Sequence, residues 1–565
     1  MAGQAEKIEQ GLEQVLERLQ ELERRVAVLE KREESPASAT IESFLGGIPK
    51  ENEKRAQSTS VVPVLGKAVL GIAGAYLLRA VAESGAAPRW AMLVAGIVYA
   101  AGWLVWAVRC HRSSHFASVI FGLTAATILP PLLWEGTVRF QALTAGFAAA
   151  VLAGMVVLSL SLAWKERLEA IPWIGTVAAV GTAIALIIAT HELRPLTAAL
   201  LTMALVTEVA ACSGRWLSLR VMTALAADFA LALLGLVMAS ADGVPASYRA
   251  MSAGELNIYC VALMLIYGGS VAVRAFVMER KLTFPESVQA AVAFVLGTWV
   301  SLKATHGGSA EALGAVFLVL AAGCYWGALR RFAGVETQRN RRVSANYAAA
   351  LVLASSTLLL NGNLRVVALS LAAMAGVAVF TRTKYLSLGI HGTFYLLAAG
   401  TQCGLFRYAW AALAGTVPAW PRWSLWAVAV AGLVSYALGS RVPGEGWRAR
   451  ALWVVPAAVA GSTVAALVVA GIAGLGTGEL SASRLSMVRT VVTCVMALAL
   501  GYAGSRWNRV ELGWVAYGAI ALGALKLVVE DLRFGNAGTL MVSLLFYGLI
   551  LILLPRLTRF GRVEV

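Results

Sequence analysis

Charge is what this chain has least of. Asp, Glu, Lys and Arg supply 14% of its 565 residues, against 59% for hydrophobic types. A water-exposed fold of that length needs far more polar surface, so the scarcity excludes a string of soluble globular domains. Segments of about ten residues alternating apolar and polar are also missing, which excludes a membrane barrel. The six cysteines (Cys110, Cys212, Cys260, Cys324, Cys403, Cys494) are scattered and form no CxxC, so neither a disulfide framework nor a zinc ribbon is expected. No P-loop, Rossmann glycine signature, HExxH or strand-borne GxSxG occurs. That removes an ATP-driven motor and the familiar soluble catalytic domains, and no cofactor is expected. The opening "MAGQAEKIEQ" has no apolar stretch behind a basic start, so no cleavable signal peptide is expected.

Long apolar runs are what the chain does have, and its mean hydropathy is +0.74. A run of about 20 apolar residues suffices to cross a hydrocarbon core. By that criterion the pattern predicts an all-α, polytopic helical membrane protein with about eighteen transmembrane helices. They fall near 63–82, 89–108, 115–133, 140–163, 170–190, 195–213, 216–240, 255–278 and 283–303. The second half continues near 309–330, 345–360, 364–381, 384–402, 423–440, 451–475, 484–504, 511–530 and 537–555. Residues 405–417 read as an interfacial or re-entrant segment, and the following "VPAWPRWSLW" suits a headgroup-level anchor.

The net charge of +16 comes from basic residues clustered in short loops, the pattern of topology signals and not of a nucleic-acid footprint. Alternating the spans from a cytoplasmic start puts Arg109/Arg112, Arg280/Lys281, Arg330/Arg331, Arg441/Arg448/Arg450 and Arg506/Arg509 on one side. The other side holds mostly single charges, such as Arg139, Arg194 and Arg365. Both termini are therefore expected in the cytoplasm, with membrane lipids as the certain surroundings and no nucleic acid partner.

Ahead of the spans, Ile8, Leu12, Val15, Leu19, Leu22, Val26 and Leu29 recur at alternating spacings of four and three. This heptad seam reads residues 1–34 as a cytoplasmic coiled-coil helix. Taking Leu12, Leu19 and Val26 as the a positions pairs Arg18 with Glu23 and Arg25 with Glu30 across a parallel dimer. The seam at Ile8–Leu29 is thus a candidate for self-association or for a partner helix. Residues 35–60, polar with Pro, Ser and Gly, read as a flexible linker. Residues 61–565 form the transmembrane domain.

Two charged tips echo one another. The first hairpin reads "LLRAVAESGAAPRWAMLVAG", with Arg79 and Glu83; the last reads "LKLVVEDLRFGNAGTLMVSL", with Lys526 and Glu530. Each places a base one helical turn before a glutamate and a glycine-bearing turn. A loosely repeated helical hairpin of about 45 residues follows from this. These two hairpins resemble those of a family of uncharacterised bacterial membrane proteins, which carry an N-terminal coiled coil before a long run of transmembrane helices. The resemblance implies the same fold and an inner-membrane location. It implies no substrate and no catalytic residue.

Charges at bilayer depth are functional candidates because each costs at least about 3 kcal/mol to insert. Asp228, in "MTALAADFALALLG", is the deepest, a candidate for binding a cation or proton, or for bonding to a neighbouring helix. Glu208 and Arg220 flank a cytoplasmic turn and are expected to pair across it. Arg79, Glu83, Lys526, Glu530 and Asp531 are candidate outer-mouth charges. If the helix continues unbroken, Lys526, Glu530 and Arg533 share a face while Asp531 points elsewhere. Cys110, His111 and His115 lack a further metal ligand, and His391 reads as an interhelical donor. The function these features favour is transport or handling of a lipid or envelope precursor. A non-catalytic scaffold organised by the coiled coil is the second reading. An intramembrane enzyme resembling lipid-linked glycosyl transferases is the third, with Glu83, Glu135, Asp242, Glu530 and Asp531 as its available acids.

Overall fold

The computed structural model describes residues 51–166, 168–214, 218–240, 243–332, 334, 337–414, 421–442, 447–475 and 481–559. The coiled-coil seam at Ile8–Leu29 and Asp242 lie outside them. The described residues are helices and turns, with no strand among them. The stretch expected as one transmembrane domain divides into two compact units between Thr190 and His191.

The first unit contains α1 (Glu51–Ser84), α2 (Arg89–Cys110), α3 (His115–Trp134), α4 (Ala145–Glu166) and α5 (Ala170–Thr190). The second opens with α6 (Leu193–Cys212), α7 (Leu219–Met238), α8 (Ala253–Ala272), α9 (Phe284–Ala304) and α10 (Ala310–Trp326). It continues with α11 (Gln338–Leu359), α12 (Gly362–Thr383), α13 (Leu386–Cys403), α14 (Leu405–Ala414) and α15 (Trp423–Gly439). It closes with α16 (Trp447–Ala451), α17 (Val454–Leu475), α18 (Ala482–Arg506), α19 (Val510–Lys526) and α20 (Ala537–Arg559).

All eighteen expected spans appear as helices, but fifteen helices among the described residues are long and apolar enough to cross a membrane. The three that differ are α11, α13 and α15. Polar residues thin the first two: Arg341, Arg342 and Asn346 in α11, His391 and Gln402 in α13. The third is 17 residues long. The segment expected as re-entrant or interfacial forms the ten-residue α14, whose Ala412 packs with Ala466 and Val469 of α17. α1 begins at Glu51, within residues 35–60. Glu, Lys, Arg, Ala and Gln there are good helix formers, and no proline interrupts them until Pro63.

Four spans end in a wide π turn: Glu135–Arg139 after α3, Val273–Val277 after α8, Gly327–Arg331 after α10 and Leu527–Asp531 after α19. Two of these close identically. Ala142 N–H reaches Gly136 O at 2.9 Å around a left-handed Gln141, and Arg280 N–H reaches Arg274 O at 2.9 Å around a left-handed Glu279. Such closures satisfy the orphan carbonyls of a helix end. A π turn also brings residues five apart together, where an α turn brings residues four apart. Elsewhere close packing is set by small residues: a methyl on Gly392 of α13 would meet Ala373 O of α12 at 2.9 Å. Backbones approach this closely in membranes because lipid offers no hydrophobic drive to hold helices together.

Candidate functional site

The chain's rare charges assemble into quartets of two bases and two acids. In the first unit, Arg79 lies 3.3 Å from Glu83 and 2.9 Å from Glu135, while Arg139 lies 3.2 Å from Glu83. The expected Arg79–Glu83 pair therefore sits in a larger group, built where α1 ends and the π turn after α3 begins. Its members are partly exposed.

In the second unit the quartet is buried. Arg220 Nη1 and Arg274 Nη1 both reach Glu286 Oε1, at 2.8 and 2.6 Å. Arg274 Nη2 lies 3.3 Å from Glu208 Oε2, and Arg220 Nε lies 2.9 Å from Glu208 Oε1. Glu208 and Arg220 do pair across their turn, but the pair is half of a closed ring joining α6, α7, α8 and α9. Several contacts hold the ring in place. Ser270 donates to Glu208 at 2.6 Å, Arg274 Nε donates to Cys212 Sγ at 3.5 Å, and Glu286 Oε2 accepts from Thr283 N–H at 2.8 Å in the first turn of α9. Two grooves flank the ring, one of 780 Å³ between α6 and α8 and one of 580 Å³ between α7 and α9.

Asp228 stands apart from the ring, toward the middle of α7. Its Oδ2 accepts from Gln289 Nε2 of α9 at 2.7 Å. Its Oδ1 is buried without a hydrogen-bond partner, as is the Tyr267 hydroxyl on α8. The groove between α7 and α9 ends at Gln289.

The third quartet corrects the expectation for Asp531. The π turn Leu527–Asp531 rotates this residue onto the face of Lys526, five positions earlier. Lys526 Nζ lies 2.5 Å from Asp531 Oδ1 and 3.5 Å from Glu530 Oε2, and Arg489 Nη1 of α18 lies 2.6 Å from Glu530 Oε1. Asp531 also accepts from Ser486 and, at 2.6 Å, from Thr490. Lys526 donates to Thr490 at 2.9 Å, and Arg489 Nη2 donates to Ala411 O at the end of α14 at 3.1 Å. All four charged members are deeply placed; Arg489 is 2% exposed.

Against this quartet lies a chamber of 880 Å³ bounded by α14, α17, α18 and α19. Its walls are apolar, with Trp410, Met496, Leu500, Trp514 and Leu522 among them, and Lys526, Glu530 and Arg533 mark one end. Leu522, Leu525 and Val529 are exposed on the bundle, so the chamber opens on the surface that faces lipid.

The remaining sequence candidates resolve into packing contacts. His111 and His115 stack edge to face with their Nδ1 atoms 3.5 Å apart. His391 bridges Tyr325 at 3.2 Å and Asn346 at 3.1 Å. The acids available to an intramembrane enzyme, Glu83, Glu135, Glu530 and Asp531, are each committed to a base. Arg274, Glu286 and Arg489 were missed by the sequence reading. Arg274 and Arg489 were legible as charges inside apolar spans, while Glu286 looked like an ordinary helix start.

A bundle of apolar helices with buried, self-compensated charge and a lipid-facing chamber defines a multi-pass integral membrane protein. No protein-family model, curated protein or solved structure matches the chain.

Proposed function

We propose that the protein takes an amphiphile, a lipid or lipid-linked envelope precursor with an anionic headgroup, from the bilayer into the chamber between α17, α18 and α19. The setting proposed is a bacterial inner membrane with both termini in the cytoplasm, as the loop charges and the family resemblance suggest. One observation carries the reading: an apolar chamber, open sideways to lipid, ends in a charged group. Its size lies within the ~300–1,000 Å³ usual for small-molecule sites. The apolar walls, Trp514 among them, would take an acyl or prenyl chain, and the indole of Trp410 suits its junction with a headgroup. With the quartet included, the charges at that end are Lys526, Arg489 and Arg533 against Glu530 and Asp531, a net positive set that favours an anion. The quartet behind Lys526 fixes that end, so the headgroup meets a preset surface.

Gly518 lines the chamber, and a methyl built on it meets nothing within 4 Å. Gly518→Phe would therefore fill the space without disturbing the walls. Mass spectrometry of protein purified in mild detergent is expected to find a retained acidic lipid with the native chain and to lose it with Gly518→Phe at unchanged abundance. Equal retention by both would reject the chamber as the site.

The heptad seam at Ile8–Leu29 favours a second reading, a scaffold assembled through a parallel coiled coil. Deleting residues 1–40 is expected to leave lipid retention unchanged. Loss of a cellular phenotype with intact lipid binding would transfer the function to assembly.

A further inference from the structure

We propose that Asp228, held by Gln289, is a proton-binding site inside the second unit, loaded through the groove between α7 and α9. It rests on side chains separate from the chamber.

Charge balance makes the first step. Glu208, Arg220, Arg274 and Glu286 sum to zero, and each arginine contacts both acids. Neither is left over to neutralise Asp228. The residue is 9% exposed, and its neighbour Gln289 is uncharged. An ionised Asp228 would be a lone negative charge at bilayer depth, and a bound proton removes it. The unpartnered atoms make the second step. Asp228 Oδ1 and the Tyr267 hydroxyl are both buried without hydrogen-bond partners, and Tyr267 lies within electrostatic reach of Asp228, Glu208 and Arg220. With no donor to stabilise a negative Oδ1 at such depth, the ionised carboxyl costs more than the neutral acid, which favours a bound proton. The groove makes the third step. Its 580 Å³ is lined by Glu208, Arg220 and Glu286 at one end and by Gln289 at the other. Water in it would reach the amide that holds Asp228.

The helices packed on α7 are α6, α8 and α9. The charged and titratable groups on them are Arg194, Glu208 and Cys212 of α6, Glu255, Tyr259, Cys260 and Tyr267 of α8 with Arg274 in its π turn, and Glu286 and Lys303 of α9, with Arg220 on α7 itself; Arg194 and Glu255 pair with each other at 2.8 Å. Protonation and deprotonation of Asp228 therefore occur beside a neutral ring, which leaves the proton as the one mobile charge.

A hydrophobic carbodiimide tests this, because it adds to protonated carboxyls in apolar surroundings: the acid proton passes to a carbodiimide nitrogen as the carboxylate oxygen joins the central carbon. The full chain in lipid nanodiscs would be treated across a pH series and the tryptic peptides weighed. Asp228 is expected to be modified, with the rate falling about tenfold per pH unit once its proton is lost. Glu208 and Glu286, ionised in the ring, should stay unmodified in the same digest. Val288 lines the groove and is exposed, so Val288→Trp should slow modification several-fold without altering abundance. An unmodified Asp228 at every pH would overturn the proposal. Protection by sodium with no dependence on pH would overturn it too, in favour of a cation site. Equal modification of all three acids would show that the ring is not ionised and would equally contradict the charge balance.

Discussion

At the scale of the residue, the same chemistry has two very different weights in this protein. Arg79 and Glu83 are partly exposed, with side chains 32% and 42% accessible, and ion pairs in such settings contribute about 0–1 kcal/mol. Lys526 and Asp531 are buried, at 6% and 2%, and removing one member of a buried pair costs about 3–5 kcal/mol because the other charge is stranded. Lys526→Met is therefore expected to lower the unfolding temperature sharply in detergent, followed by tryptophan fluorescence. Arg79→Ala should shift it little. Equal shifts would contradict the burial assigned to the third quartet. Glu208→Gln belongs with the severe class, and adding Arg220→Gln should recover part of the loss. Glu208 and Arg220 could be paired from sequence because they flank one short turn. Their partners Arg274 and Glu286 come from a different hairpin, and nothing in the local pattern announces which distant helix supplies the other half of a ring.

At the scale of the element, the π turn explains what helical periodicity could not. A regular helix places Lys526 with Glu530 and turns Asp531 away; the extra residue in Leu527–Asp531 brings Asp531 back. Such a turn leaves little sequence signal, since "LVVED" is unremarkable by propensity. Deleting Val528, whose side chain is exposed, should restore α geometry and keep the Lys526–Asp531 pair, because Asp531 then stands four positions after Lys526. The deletion is therefore expected to cost much less stability than Asp531→Asn, and an equal loss would show that the extra residue does more than bring Asp531 onto the face of Lys526. Close packing makes the second prediction at this scale. Gly392 has no room for a side chain against Ala373 O, so Gly392→Leu should separate α12 from α13 and sharply reduce folded protein recovered from membranes. Full recovery would contradict that crossing. Helix existence was legible throughout, because hydropathy over about 20 residues responds to the bilayer as solvent. The start of α1 was not, because a polar helix and a polar linker share composition.

At the scale of the whole molecule, alternation of the spans and the basic loops support the orientation we propose. A cysteine at Gly307, in the turn after α9, should react with a membrane-impermeant maleimide on spheroplasts, in a background freed of the native cysteines. One at Lys281, before α9, should not, and the reverse pattern would invert the topology. The chamber belongs to this scale too. It forms only where α14, α17, α18 and α19 meet, so sequence could offer its charged end at Lys526–Asp531 but not the cavity beside it. Its occupancy is tested most directly with a lipid analogue carrying a phosphate headgroup and a photoreactive group in the acyl chain. Irradiation of the full chain in lipid nanodiscs should place adducts on the face running from Gly518 of α19 to Val529 of its π turn, and Gly518→Phe should abolish them. Adducts spread evenly over exposed apolar residues such as Val98, Leu265 and Leu525, unchanged by Gly518→Phe, would mark the chamber as ordinary lipid-facing surface and contradict the account.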